Sequence, residues 1–184
     1  MKTPTHVSMN RLFSLLVLLM FVGQLEADSP YAGQQQRRIK ALSDDEVSGY
    51  LAGRGMGLAR AAELNGYPGP RHVLDAAVRL NLSTAQRSQL EAIFAAMQSA
   101  AVPLGRDLVD RETELDRAFV TNEITAGELR ALTARIGELE GALRAVHLRA
   151  HLETRAILTA AQIEEYNRMR GYVTTAPDKS KPSP

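Results

Sequence analysis

The chain has 184 residues with no cysteine and no tryptophan, and its 22 Lys and Arg against 21 Asp and Glu leave a formal charge of +1. The lack of thiols excludes a disulfide framework and thiol chemistry, so stability has to come from packing, metal or association. Near-neutral charge gives no sign of a nucleic-acid binder, and the scarcity of aromatic residues points to a core of Leu, Ala, Ile and Val that suits helix packing.

At the N-terminus Lys2, His6 and Arg11 precede an apolar run from Leu12 to Val22, with small residues around Ala27. This is a signal peptide layout over residues 1–27, and the run is short for a bilayer span, which takes roughly 20 apolar residues. The expected location is periplasmic, with retention as an inner-membrane anchor the alternative. Residues 28–42 are polar and are expected to form a flexible lead, and residues 173–184, rich in Pro and Lys, a disordered tail.

The helical domain is expected over residues 43–172. Ser43-Asp44-Asp45-Glu46 is a capping box that predicts a helix to about Glu63. Gly49, Gly53, Gly55 and Gly57 make that helix marginal, each costing up to about 1 kcal/mol relative to Ala. The run Asn65-Gly66-Tyr67-Pro68-Gly69-Pro70 ends it, and a short helix from about Arg71 to Leu80 follows.

Two long helices come next. From Leu90, the positions Phe94, Met97, Ala101, Leu104, Leu108, Arg111, Leu115 and Ala118 alternate steps of four and three. From Leu129, so do Leu132, Ile136, Leu139, Leu143, Val146 and Ala150. These are heptad seams. The short connection Val120 to Ile124, followed by the cap Thr125-Ala126-Gly127-Glu128, predicts a long antiparallel helical hairpin, so the fold class is all-α with short flanking helices. Apolar Ile93, Phe119 and Leu148 lie off the seam and ask for cover from the short helices or a second subunit, which makes a homodimer the expected assembly. Pro103 should bend the first long helix, and Arg111 on the seam should pair with Glu138, Glu140 or Asp107.

One phrase occurs twice: Leu82-Ser83-Thr84-Ala85-Gln86 and Leu158-Thr159-Ala160-Ala161-Gln162. Each puts a hydroxyl at a helix start and a Gln three residues on, again a capping box. The pair resembles the repeated Leu-Thr-x-x-Gln signature of the Spy/CpxP superfamily of bacterial periplasmic proteins, with Ser83 in place of Thr in the first copy. The stretch from Arg54-Gly55-Met56-Gly57 through Glu63-Leu64-Asn65-Gly66-Tyr67-Pro68-Gly69-Pro70-Arg71-His72 is similar to that of the heavy-metal resistance and metal-sensor members.

The constellation with ligand chemistry is His147-Leu148-Arg149-Ala150-His151. At i and i+4 the imidazoles share a helix face one turn apart, a spacing able to chelate Zn, Ni, Co or Cu. In the seam register the two histidines sit beside the core stripe and are reachable. The plainer reading is two solvated imidazoles complementing a helix C-terminus. The resemblance implies histidines together with a carboxylate as ligands, here His147, His151 and Glu63. His72 could contribute from the short helix, and Met56 could offer a soft donor.

No His-Glu-x-x-His, phosphate loop or nucleophile elbow is present in the sequence, so an enzyme is not expected. Two functions remain. The first is a periplasmic metal sensor or buffer in heavy-metal and envelope-stress resistance. The second, implied by the resemblance, is an ATP-independent holdase for unfolded periplasmic clients, its arginine-rich helices attracting negatively biased chains. A membrane-bound regulatory partner would also be compatible with the first.

Overall fold

A computed structural model describes residues 29–172; the expected leader and C-terminal tail (173–184) lie outside them. Contacts divide the chain into two units, Met1–Gln36 and Arg37–Pro184. In the first, the described residues form turns and a 3-10 helix, Gln34–Gln36. The second is all-helical, with α1 Asp44–Leu51, α2 Arg60–Glu63, α3 Pro70–Asp75, α4 Thr84–Val120, α5 Ala126–Ile157 and α6 Ala160–Met169.

Helices α4 and α5 pack along their length as the expected hairpin. Their seam is the core: Ala101 and Leu108 from α4 meet Ile136, Leu139 and Leu143 from α5, with Tyr50, Leu58, Leu104, Leu115 and Val146 around them. The reversal between the helices uses Asn122 at φ 57°, a left-handed position that Asn tolerates better than most residues. Pro103 lies within α4, which continues through it. Arg111 does not reach across to Glu138 or Glu140, nor does it pair with Asp107. It pairs with Glu114 on its own helix, so the charge on the seam is met locally and near solvent.

The expected single helix from Ser43 to Glu63 is replaced by two. The capping box starts α1 as predicted, but the helix stops at Leu51 and Gly53 turns the chain at φ 62°. Met56 at φ 40° and Gly57 at φ 88° continue the irregular path. A non-glycine residue in that region costs on the order of 1–3 kcal/mol, so packing holds the loop where propensity would not. The third helix is likewise shorter than expected, ending at Asp75 and giving way to turns before Leu80. The lead is a further correction. Ile39 and Leu42 are buried with Val47 and Val109, and the Lys40 amide and ammonium both bond Asp116 on α4. From Arg37 on, the segment expected to be flexible is therefore anchored.

A second cluster closes the other end of the hairpin, with Val73, Leu80, Leu90, Leu158 and Tyr166 buried together. Here the repeated phrase shows its purpose. Both boxes form as read: Ser83 Oγ accepts from the Gln86 amide and Thr159 Oγ1 from the Gln162 amide, while each Gln carbonyl accepts from its cap residue's N–H. The two Gln side chains also bond each other: Gln86 Nε2 donates to Gln162 Oε1 at 2.9 Å and Gln162 Nε2 donates to Gln86 Oε1 at 3.1 Å. The second N–H of Gln86 goes to the Ile157 carbonyl and that of Gln162 to the Leu80 carbonyl. Each amide thus uses its full donor and acceptor capacity, which explains Gln in these two boxes where the solvent-facing boxes at Ser43 and Thr125 carry Glu46 and Glu128. Gln86→Glu removes two donors and sets a carboxylate against a carbonyl oxygen. The expected cost is about 1–3 kcal/mol, read as a fall in melting temperature. Glu46→Gln, in a box with no such partner, should change it far less.

Candidate metal centre

Between the two apolar clusters, α5 buries a polar band. His147 is only 3% exposed and Thr154 is fully buried. The expectation that both histidines lie beside the core and open to solvent is therefore corrected for His147. The loop after α1 and the turn before α3 close over this part of α5, so the buried stripe widens from Leu143 and Ala150 to include His147. The covering backbone comes very close. A Cβ on Gly55 would lie 3.5 Å from His147 Nδ1, and one on Gly69 would lie 2.9 Å from His151 Nε2 and Cε1. These two glycines let bare backbone clasp the imidazoles.

The histidines differ in how they are held. His151 Nδ1 lies 2.7 Å from the Tyr67 carbonyl oxygen. A carbonyl can only accept, so Nδ1 carries the proton and Nε2 keeps the lone pair that a metal needs. His147 Nε2 is buried without a hydrogen-bond partner among the described residues. Burial first, and the neighbouring His151 second, hold the His147 pKa below the usual imidazole value, which keeps it neutral and ligand-competent near pH 7.

His72 on α3 lines the same two open cavities, of about 440 and 430 Å³, as His147 and His151. Met56 and Glu63 line the first of them. Glu63 has other commitments. Its Oε2 accepts from the Gly69 amide at 3.2 Å, and its Oε1 accepts from the hydroxyls of Tyr166 and Tyr172. Oε2 also stands 3.7 Å from His151 Nδ1, the edge of the ring already bonded to Tyr67. Burial, followed by the Glu63 bond and charge, pushes the Tyr166 phenol far above its ordinary pKa. Arg155 pins the turn from the other side by donating to the Gly66 carbonyl and lying over the Tyr67 ring at 4.5 Å.

The structure thus brings His72, His147, His151 and Glu63 to one place. It does not assemble them into a finished shell: among the described residues no group of three or more His, Asp or Glu is placed to hold a metal ion. Sequence reasoning missed Tyr67, Gly69, Tyr166 and Tyr172. Only the Pro-Gly-Pro turn signalled that backbone would approach α5, and nothing in the spacing marked a carbonyl or two distant phenols as partners.

A helical hairpin whose two Leu-(Ser/Thr)-x-x-Gln boxes join at one end belongs to the class of Spy/CpxP-like helical proteins. The sequence matches the heavy-metal resistance family over residues 49–165, and the chain is a member of that family. No curated protein and no solved structure matches it.

Proposed function

We propose that this chain is a non-enzymatic periplasmic protein that binds a divalent transition metal as a sensor or buffer in heavy-metal and envelope-stress resistance. The observation that carries the reading is His147 Nε2, buried and without a hydrogen-bond partner among the described residues, one helical turn from a second imidazole. A neutral imidazole left in this state costs about 1–3 kcal/mol, and a metal ion is a ligand that offsets the cost. The residues fit such an ion in part. His147 and His151 are the core ligands, with His72 the third candidate. The two oxygens of Glu63 are already bonded. Imidazole nitrogen suits Zn, Ni, Co and Cu. His147 and His151 would hold the ion through imidazole nitrogen, and it would supply positive charge there. His151 is pre-aimed by Tyr67, and the Gly55 and Gly69 backbones fix the depth of both rings.

The test is calorimetric titration of Zn, Ni, Co and Cu into chelator-treated protein, beside His147→Ala/His151→Ala. Stoichiometric binding at micromolar concentration or below that vanishes in the double variant is the expected result. Binding unchanged by the substitutions would sink the reading. The holdase alternative draws support from the apolar surface near the α4–α5 reversal, where Phe119 and Val120 are more than half exposed. Suppression of client aggregation that persists with chelator and in the double variant would favour it.

A further inference from the structure

The loop between α1 and α2 carries a strained residue whose side chain is oxidisable. Met56 sits at φ 40°, so contacts beyond its own backbone must keep it there. Its thioether lies in a notch that Gly49 leaves in α1: a Cβ on Gly49 would overlap the Met56 sulfur and lie 3.0 Å from both Cγ and Cε. Gly49 is buried, while Met56 is 40% exposed and lines two open cavities. The side chain therefore covers α1 with one side and meets solvent with the other. One residue earlier, bare backbone at Gly55 covers the His147 ring, where a Cβ would lie 3.5 Å from Nδ1. With no cysteine in the chain, its thioethers are the sites for reversible oxidation at sulfur. Met97 and Met169, the other two among the described residues, are part-buried within helices, Met169 against the Tyr166 cluster.

We propose that Met56 is an oxidant-sensitive clasp: a peroxide converts its thioether to the sulfoxide, which releases residues 53–57 from α1 and uncovers His147. A sulfur lone pair attacks one peroxide oxygen, and the O–O bond breaks as the S–O bond forms. The leaving hydroxide takes the remaining proton and departs as water, so sulfur loses the two electrons that the peroxide gains. No metal takes part in the step. The product is polar where the thioether was apolar. Its oxygen is a strong acceptor brought against helix backbone whose groups are already committed: the Gly49 carbonyl accepts from the Arg54 amide at 2.9 Å, and the Gly49 amide lies inside the α1 ladder. An S–O group without a donor is costly to keep in that notch. It turns out to the cavity and water, and the strained loop loses the contact that offsets its backbone conformation. Reduction of the sulfoxide by a reductase reverses the change.

The experiment treats the full-length chain with hydrogen peroxide and follows Met56, Met97 and Met169 by peptide mass spectrometry. Hydrogen–deuterium exchange over residues 52–59 and acylation of His147 by diethyl pyrocarbonate are read in parallel. Met56 should gain oxygen about threefold or more faster than the other two, as its exposure dictates. In the oxidised protein, exchange over residues 52–59 should rise by about fivefold or more, and His147 should acylate faster. Met56→Leu should keep the slow exchange of the reduced wild type and show no response to peroxide. Gly49→Ala should exchange fast without oxidant, because its methyl takes the place of the sulfur. Oxidation of Met56 no faster than that of Met97 and Met169 would overturn the site. Oxidised Met56 with unchanged exchange over residues 52–59 would overturn the clasp, as would a peroxide response that persists in Met56→Leu. The wild-type arms carry the test by themselves if either variant fails to fold.

Discussion

Gly105→Ala is expected to destabilise the domain by about 1–3 kcal/mol net, and Gly137→Ala or Gly141→Ala to stabilise it by about 0.5–1 kcal/mol each. All three glycines lie inside long helices, where alanine is favoured by propensity alone. The difference is in what the new methyl meets. At Gly105 it would stand 2.2 Å from the Tyr50 carbonyl oxygen and 2.7 Å from the carbonyl carbon, whereas at Gly137 and Gly141 nothing lies within 4 Å. The obstacle at Gly105 is backbone at the end of α1, and α1 is pinned in turn by Ile39, Leu42 and Val47 against Val109. The methyl cannot be accommodated by rotating a side chain, so α1 must lift from α4. Thermal denaturation checks both signs, with a shift of roughly 2–4 °C for each kcal/mol in a chain of this size. A Gly137→Ala/Gly141→Ala double variant that loses stability would show a second copy packing closely on that face of α5.

The hairpin was legible because its signals are local and redundant. Leu90 through Ala118 and Leu129 through Ala150 mark the seam by spacing, and a hydroxyl with Glu or Gln three residues on marks every helix start that forms a box. The end of α1 was not legible. The four glycines between Gly49 and Gly57 read as a cost to a continuous helix, and only the positive φ of Gly53 shows that the chain uses one of them as a terminator. The anchoring of Ile39 and Leu42 was hidden for a related reason. Two apolar residues in a polar lead show no periodicity, and their burial depends on a groove beside Val109 that exists only once α1 is docked.

For the candidate site, the residue types and the His147–His151 spacing were readable while the environments and the approach of His72 were not. The i and i+4 spacing placed His147 and His151 on one face, but which side of α5 becomes covered depends on the path of a loop that propensity does not set. Glu63 was found as a carboxylate near the site, yet its partners Tyr166 and Tyr172 lie about a hundred residues away, at separations of 103 and 109. The same holds for the Gln86 and Gln162 pair. Each box is visible alone, and the reciprocal amide bond between them is a property of the hairpin's closure.

His147→Leu should raise the melting temperature of the metal-free chain and abolish metal binding. Leucine fills a volume close to that of the imidazole and removes a buried nitrogen that has no hydrogen-bond partner among the described residues, an offset worth about 1–3 kcal/mol. His151→Leu should abolish binding as well but lower the melting temperature, because it strips the Tyr67 carbonyl of its donor and loosens the turn that carries Gly69. A functional ligand kept at the expense of stability behaves in the first way, and a histidine kept for packing would lose stability on replacement. Acid separates the cases further. Burial depresses the folded-state pKa of His147 below its ordinary 6.5, so between those two values the unfolded chain binds the extra proton. Wild-type stability must then fall as pH drops through that window, with the full contribution present above it. The leucine variant has no such group, and its advantage over the wild type should widen from pH 7 to pH 5. A gap that stays constant would mean that position 147 does not titrate between the folded and unfolded states.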